Sequence, residues 1–202
     1  MTIEYTKEHR SKLEAFLATH DLPRGLGHEE SACTIASINL ALTGKLTDET
    51  PDCMSNVLGK AAIALQDAMP DEMRNSSRYK SLIPNMPGTG REREAERLAV
   101  LMDWMWTVVL PQVQPVADKH GFGAEWLRMC AEKTANATTT DAIISIAYAV
   151  DVALAAARAA AYTATLAAAR AAYVATYADF WDKVDPIGVL ERMTYLDKGE
   201  DK

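Results

Sequence analysis

The sequence predicts an all-α fold, and three observations carry that prediction. Apolar residues recur at spacings of three and four along most of the chain, the period of an amphipathic helix rather than the alternation of a half-buried strand. Breaker clusters such as DLPRGLG (21–27), NMPGTG (85–90) and ANATTT (135–140) separate these stretches at helix-sized intervals. The segment 154–181, LAAARAAAYTATLAAARAAYVATYADFW, is half alanine, the residue that enters a helix at the lowest conformational cost.

Each element follows from the same logic. In YTKEHRSKLEAFLATH, Leu13, Phe16 and Leu17 form one stripe, and the helix should end near His20. HEESACTIASINLAL begins with Glu29 and Glu30, carboxylates suited to a helix N-terminus, and stops at Thr43-Gly44. Val57, Ala61, Leu65 and Ala68 mark a third helix, closed by Pro70. DEMRNSSRYKSLIP supports one or two short turns, with Asp71 and Ser77 as caps.

After NMPGTG, REREAERLAVLMDWMWTVVLP is polar at its start and apolar from Leu98 to Leu110. Pro111 and Pro115 predict a kink and a last turn to about Lys119. GAEWLRMCAEKT is a further helix. Residues 141–183 read as one long helix or two collinear ones. The chain closes with a helix at about 185–196, with Asp185 as N-cap and Pro186 at the first helical position.

The expected architecture is a single domain, 1–202, a bundle of about seven helices around the alanine-rich element. Leu154, Arg158, Tyr162, Leu166, Arg170, Tyr173, Tyr177 and Trp181 wind along it as one stripe, leaving alanine faces for close helix packing. At 1.5 Å per residue, about 43 residues extend roughly 65 Å, beyond a compact domain of this size. The rod is therefore either broken or projects to pair with another copy, and a homodimer is the expectation.

A formal charge of −7 and a pI near 5.1 argue against binding a nucleic-acid polymer. Three cysteines, Cys33, Cys53 and Cys130, without a CxxC pair, and a start without an apolar signal region, read as a reduced cytosol. No apolar run approaches the ~18 residues of a membrane-spanning helix.

Two stretches are candidate ligand sites. Between Arg74 and Arg97 the charge turns positive: Arg74, Arg78, Lys80, Arg91, Arg93 and Arg97 face Glu92, Glu94 and Glu96. Within it, Gly88-Thr89-Gly90 feeds a helix start whose first-turn N–H groups could hold a phosphate or carboxylate. The alternative is a solvated helix start whose arginines pair with those glutamates. In the second stretch, Arg158 and Arg170 with Tyr162 and Tyr173 either line a groove for a planar anion or lay their stems over the core. Trp104 and Trp106 point to different sides of their helix, one into the core and the other either a second buried contact or an anchor for a ligand or partner, with both as candidates for aromatic stacking. Asp103 between them should find a buried arginine or lysine.

Catalytic and metal signatures are absent: there is no GxSxG, HExxH or paired-histidine spacing, and His9, His20, His28 and His120 are scattered. His28, Glu29, Glu30 and Cys33 read as a helix start rather than a metal site, and Asp67, Asp71 and Glu72 as a small acidic cluster. No catalytic residue, metal or cofactor is assigned.

The stretches ALTGKLTD, QDAMPDEMRNS, GTGRE, LMDWMW and GFGAEW, followed by an Ala/Tyr/Arg-rich tail, resemble a family of accessory proteins encoded by tailed phages and prophages, over roughly residues 30–185. The tail alone also resembles immunity proteins of the Imm-5 type. The resemblance carries no assigned chemistry. It implies a context, the cytoplasm of an infected bacterium. There, one expectation is a non-enzymatic binding protein that counters antiphage defence by engaging a host defence protein or sequestering a small anionic, nucleotide-like signal. The alternative is an enzyme acting on a nucleotide, with the basic stretch for phosphates and Asp67 or Asp103 as base or metal ligand.

Overall fold

The computed structural model describes residues 4–119, 121, 123, 124, 126–128 and 178–196, and 68% of them are helical, as the all-α expectation requires. The described chain divides into two units, 1–100 with 186–202, and 101–185. The alanine-rich segment before residue 178 lies outside the described residues, with Arg158, Tyr162, Arg170 and Tyr173.

The first unit begins with α1 (Lys7–Thr19), opened by a reciprocal cap: Thr6 Oγ1 accepts the His9 N–H, and the Thr6 N–H donates to His9 Nδ1. Leu13 and Leu17 are buried, and Phe16 stacks on His20 just past the helix end, at 4.3 Å between rings. Next comes a departure from the sequence reading. Where Glu29 and Glu30 were expected to open a helix, the chain forms a two-residue antiparallel hairpin, β1 (Gly27–His28) and β2 (Ser31–Ala32), with Glu29-Glu30 as its exposed turn. Gly25 and Gly27 take positive φ, which glycine adopts at no steric cost and a helix start does not offer. The next helix, α2 (Thr34–Thr43), begins later, capped by the Cys33 thiol, which accepts the Ala36 N–H at 3.4 Å.

Every residue from Thr34 to Asn39 is buried, so α2 is the core helix of this unit, packed against α1 and α3 (Asn56–Ala68). Its buried polar groups all find partners, as water-free packing demands. The Thr34 N–H donates to Gln66 Oε1 (2.7 Å), and its hydroxyl pairs with the Tyr79 hydroxyl (2.9 Å). Asn39 Nδ2 donates to the carbonyls of Thr47 and Glu49, tying back the loop after the left-handed Gly44 cap.

The short turns are α4 (Asp71–Arg74), α5 (Ser77–Leu82) and a 3₁₀ turn, Ile83–Asn85. Their caps fall one residue before the expected ones: Pro70 precedes α4, and the Ser76 hydroxyl accepts the Tyr79 N–H. A further helix, α6 (Glu94–Trp104), starts three residues after Arg91. The final helix, α8 (Pro186–Thr194), opens on Pro186 as the sequence requires and packs on α3 and α5. Asp185 before it holds φ +43, a left-handed conformation that aspartate tolerates better than most residues.

Two tyrosines anchor this core through their hydroxyls. Tyr5 donates to the Pro84 carbonyl at 3.0 Å, and its burial pushes the phenol up to about 12; Tyr79, fully buried, is raised by the same desolvation. Both fold more favourably as the neutral phenol, so their contribution is complete below the unfolded value near 10 and is lost as pH rises through the folded value. Alkaline unfolding should therefore steepen above about pH 10. Tyr5→Phe should flatten that part of the stability profile, as followed by denaturant titration at each pH.

In the second unit, the end of α6 passes into a π turn, Met105–Val109, and then α7 (Leu110–Lys119). The expected kink takes this form because Pro111 has no N–H to donate and its ring crowds the carbonyl one turn earlier. The widened turn is visible where the Leu110 N–H reaches back to the Met105 carbonyl. Trp104 is buried and donates from Nε1 to the Val184 carbonyl at 2.5 Å. Trp126 and Trp181 are buried as well. Asp103, expected to find a buried arginine or lysine, is exposed, whereas its sequence neighbour Trp104 is buried. No helix among the described residues is long and apolar enough to cross a membrane.

Candidate functional site

The basic stretch is built around α3, and the structure gives its residues intramolecular partners. The Gly88 and Gly90 N–H groups, expected to be open to an anion, both donate to the Cys53 carbonyl, at 2.8 and 3.2 Å. Thr89 is buried; its hydroxyl accepts the Ser55 N–H and donates to the Met86 carbonyl. The glycines adopt φ +86 and +59 so that the loop can fold back onto residues 53–55.

The arginines follow the same pattern. Arg74 is buried and donates to the carbonyls of Leu22 (3.0 Å) and Met69 (2.8 Å), with Asp71 on its outer nitrogen. A cation at those carbonyls closes the C-terminal end of α3, where the helix dipole favours positive charge. Arg97 is fully buried and donates to Thr89 O (3.0 Å) and Met193 O (3.1 Å). Arg93 holds Glu96 and the Leu196 carbonyl (2.7 Å), and Arg78 forms a two-nitrogen pair with Glu191 on α8. Three of the cations therefore converge on the last turn of α8 and the residues after it. Arg91 is exposed and lies 3.5 Å from Asp52.

The N-terminus of α3 is closed from outside too. Glu94 accepts from the Ser55 hydroxyl (2.9 Å) and from the N–H groups of Asn56 (2.5 Å) and Val57 (2.9 Å). The sequence reading placed the anion site at the start of α6, whereas the seated anion is a carboxylate from α6 at the start of α3. Glu94 and Arg97 entered the sequence reading only as charges of the basic stretch, because each acts on a helix or loop distant in sequence, and local capping rules see only near neighbours. Trp104, proposed as a stacking residue, is instead buried with its indole N–H satisfied.

A second surface was missed altogether. Residues 24–30, RGLGHEE, are all exposed, and Leu26 is one of two exposed large apolar residues among those described. The loop is braced from beneath: the Gly25 N–H donates to Asp67 Oδ1 (2.7 Å), Gln66 Nε2 to Pro23 O (2.7 Å), the Cys33 N–H to Leu26 O (3.1 Å) and the Ser31 hydroxyl to Asp21 O (3.1 Å). Glu29 and Glu30 make no salt bridge among the described residues, whereas Glu8, Glu14, Asp71, Glu96 and Glu191 do. The GxG spacing of Gly25 and Gly27 was the available signal, but the adjacent carboxylates argued for a helix start. Among the described residues, no group of three or more His, Cys, Asp or Glu side chains is arranged to hold a metal ion.

The exposed Arg78–Glu191 pair supplies a modest test. Arg78→Ala should lower stability by at most about 1 kcal/mol, and by less in high salt, because both side chains are half exposed and screened. Chemical denaturation at low and high ionic strength reads this directly.

No family model, curated protein or solved structure matches this chain.

Proposed function

We propose that the protein is a binding protein whose partner is another protein, engaged through the hairpin face of residues 24–32. In the phage context implied by the sequence resemblance, that partner belongs to the host's antiphage defence. The braced hairpin carries this reading. A loop held by four hydrogen bonds to its scaffold presents Leu26, Glu29 and Glu30 without having to be ordered on binding, which lowers the entropic cost of association. Its unpaired carboxylates suit a basic partner face that accepts Leu26 in an apolar recess. The small-anion branch at residues 88–93 is weaker, because the loop N–H groups of Gly88 and Gly90 and the side chains of Arg74, Arg78, Arg91 and Arg93 have intramolecular partners.

The test is phage plating on a defended bacterium that expresses the protein. The wild type should restore plaque formation, and Leu26→Asp or the double change Glu29→Lys, Glu30→Lys should abolish it at unchanged melting temperature. Rescue by these variants at the wild-type level would remove the hairpin from the contact. Recovery of an unchanged nucleotide from the purified, denatured protein would instead favour the sequestration branch.

A further inference from the structure

We infer that α8 is a conformational strap whose docking sets how firmly the hairpin of residues 24–32 is held, with α3 as the element that connects the two. The latch is the start of α6, where three neighbouring side chains grip two helices at opposite poles. Glu94 accepts from the Asn56 and Val57 N–H groups at the N-terminus of α3, while Arg97 donates to Met193 O (3.1 Å) and Arg93 to Leu196 O (2.7 Å) at the C-terminal end of α8. Each contact puts the favoured sign of charge on its helix end, a carboxylate on the donors that open α3 and guanidinium groups on the carbonyls that close α8. A single turn that holds both ends cannot move with one helix and stay seated on the other.

The chain reaches α8 from the rest of its unit only by way of residues 101–185, so α8 can lift without unwinding α3 or α5, the helices it packs on. It buries Ile187, Val189, Leu190 and Met193, and its outer side is held by the half-exposed Arg78–Glu191 pair. The far end of α3 carries the hairpin. Gln66 Nε2 donates to Pro23 O (2.7 Å) and Asp67 Oδ1 accepts the Gly25 N–H (2.7 Å), both from the closing turn of the same 13-residue helix whose first turn Glu94 caps. Packed helices shift between discrete arrangements rather than deforming smoothly, so a displacement at one end of α3 is felt at the other. Lifting α8 takes Met193 O and Leu196 O away from the arginines, lets the start of α6 drift off α3 and loosens the brace beneath Leu26. The coupling is reciprocal: whatever tightens the hairpin also favours docked α8. Its bearing on binding rests on the hairpin reading given under the proposed function, whereas the coupling itself does not.

Amide hydrogen exchange of the full chain, read by NMR, tests the coupling without any partner. Arg97→Lys should speed exchange several-fold at residues 190–194, at Asn56 and Val57, and at Gly25 and Cys33, whose N–H groups hold the hairpin. Glu94→Gln should produce the reciprocal acceleration in α8. Glu191→Lys turns the pair with Arg78 into a repulsion and leaves the buried clasp in place, so it should give the same pattern and serves where Arg97→Lys does not fold. Gly44→Ala, at a position where a side chain meets nothing within 4 Å, is the control for general loss of stability. Faster exchange in α8 with Gly25 and Cys33 unchanged, or equal acceleration of those two amides in Gly44→Ala, would overturn the inference. So would unchanged exchange across α8 in both Arg97→Lys and Glu191→Lys. If the coupling appears but Leu26→Asp still rescues phage, the strap stands and the hairpin reading falls.

Discussion

Arg97→Ala should destabilise the protein by about 3–5 kcal/mol, the largest effect expected of any single charged residue in the described chain. Arg97 is fully buried, and its guanidinium donates to Thr89 O and Met193 O, one in the loop over α3 and the other near the end of α8. Truncation leaves a cavity the size of the side chain and strips two buried carbonyls of charged donors, each costing about 1–3 kcal/mol. Arg97→Lys keeps the charge but not the fork that spans two carbonyls, so it should recover only part of the loss. Arg97→Met, which refills the volume without hydrogen bonds, separates packing from polarity. Equilibrium denaturation of the three variants gives the ranking. If Arg97→Ala falls within 1 kcal/mol of the wild type, the clasp on α8 is not what holds that helix.

The helices were legible because apolar spacing is a local signal: α1 ends before His20, α2 stops at Gly44, α3 closes before Pro70, α7 reaches Lys119 and Pro186 opens α8. Charge excess was legible too, but its use was not. The local alternative holds for Arg93, which pairs with Glu96 three residues on, but the carbonyls that Arg74, Arg93 and Arg97 reach, of Leu22, Leu196 and Met193, come from elsewhere in the chain and leave no mark in the local sequence. Asp103 is exposed although its sequence neighbours are large and apolar, because adjacent positions on a helix point about 100° apart. The hairpin was hidden because Glu29 and Glu30 satisfy a helix-start rule, while the thiol cap of Cys33 is an uncommon one.

Gly27→Ala should cost about 2–4 kcal/mol, more than the same change at Gly44. Gly27 and Gly44 both sit in the left-handed region, at φ +78 and +71, so an alanine at either pays a backbone penalty of about 1–2 kcal/mol. They differ in what a side chain would meet. At Gly44 nothing lies within 4 Å, whereas at Gly27 a Cβ would fall 1.9 Å from the Ser31 carbonyl oxygen and 2.7 Å from Pro23 Cγ. Backbone on the facing strand cannot rotate away as a side-chain tip can. The pairing of Gly27 with Ala32 must open, and the strain passes to the next link, the Cys33 N–H on Leu26 O, immediately before the helix that forms the core. Gly44→Ala therefore measures the torsional term alone, and the excess at Gly27 measures the clash. Equal losses at the two sites would mean that the hairpin yields freely and is not held in one conformation. The same pair of variants bears on function, since a preorganised binding surface should lose phage rescue in Gly27→Ala and keep it in Gly44→Ala.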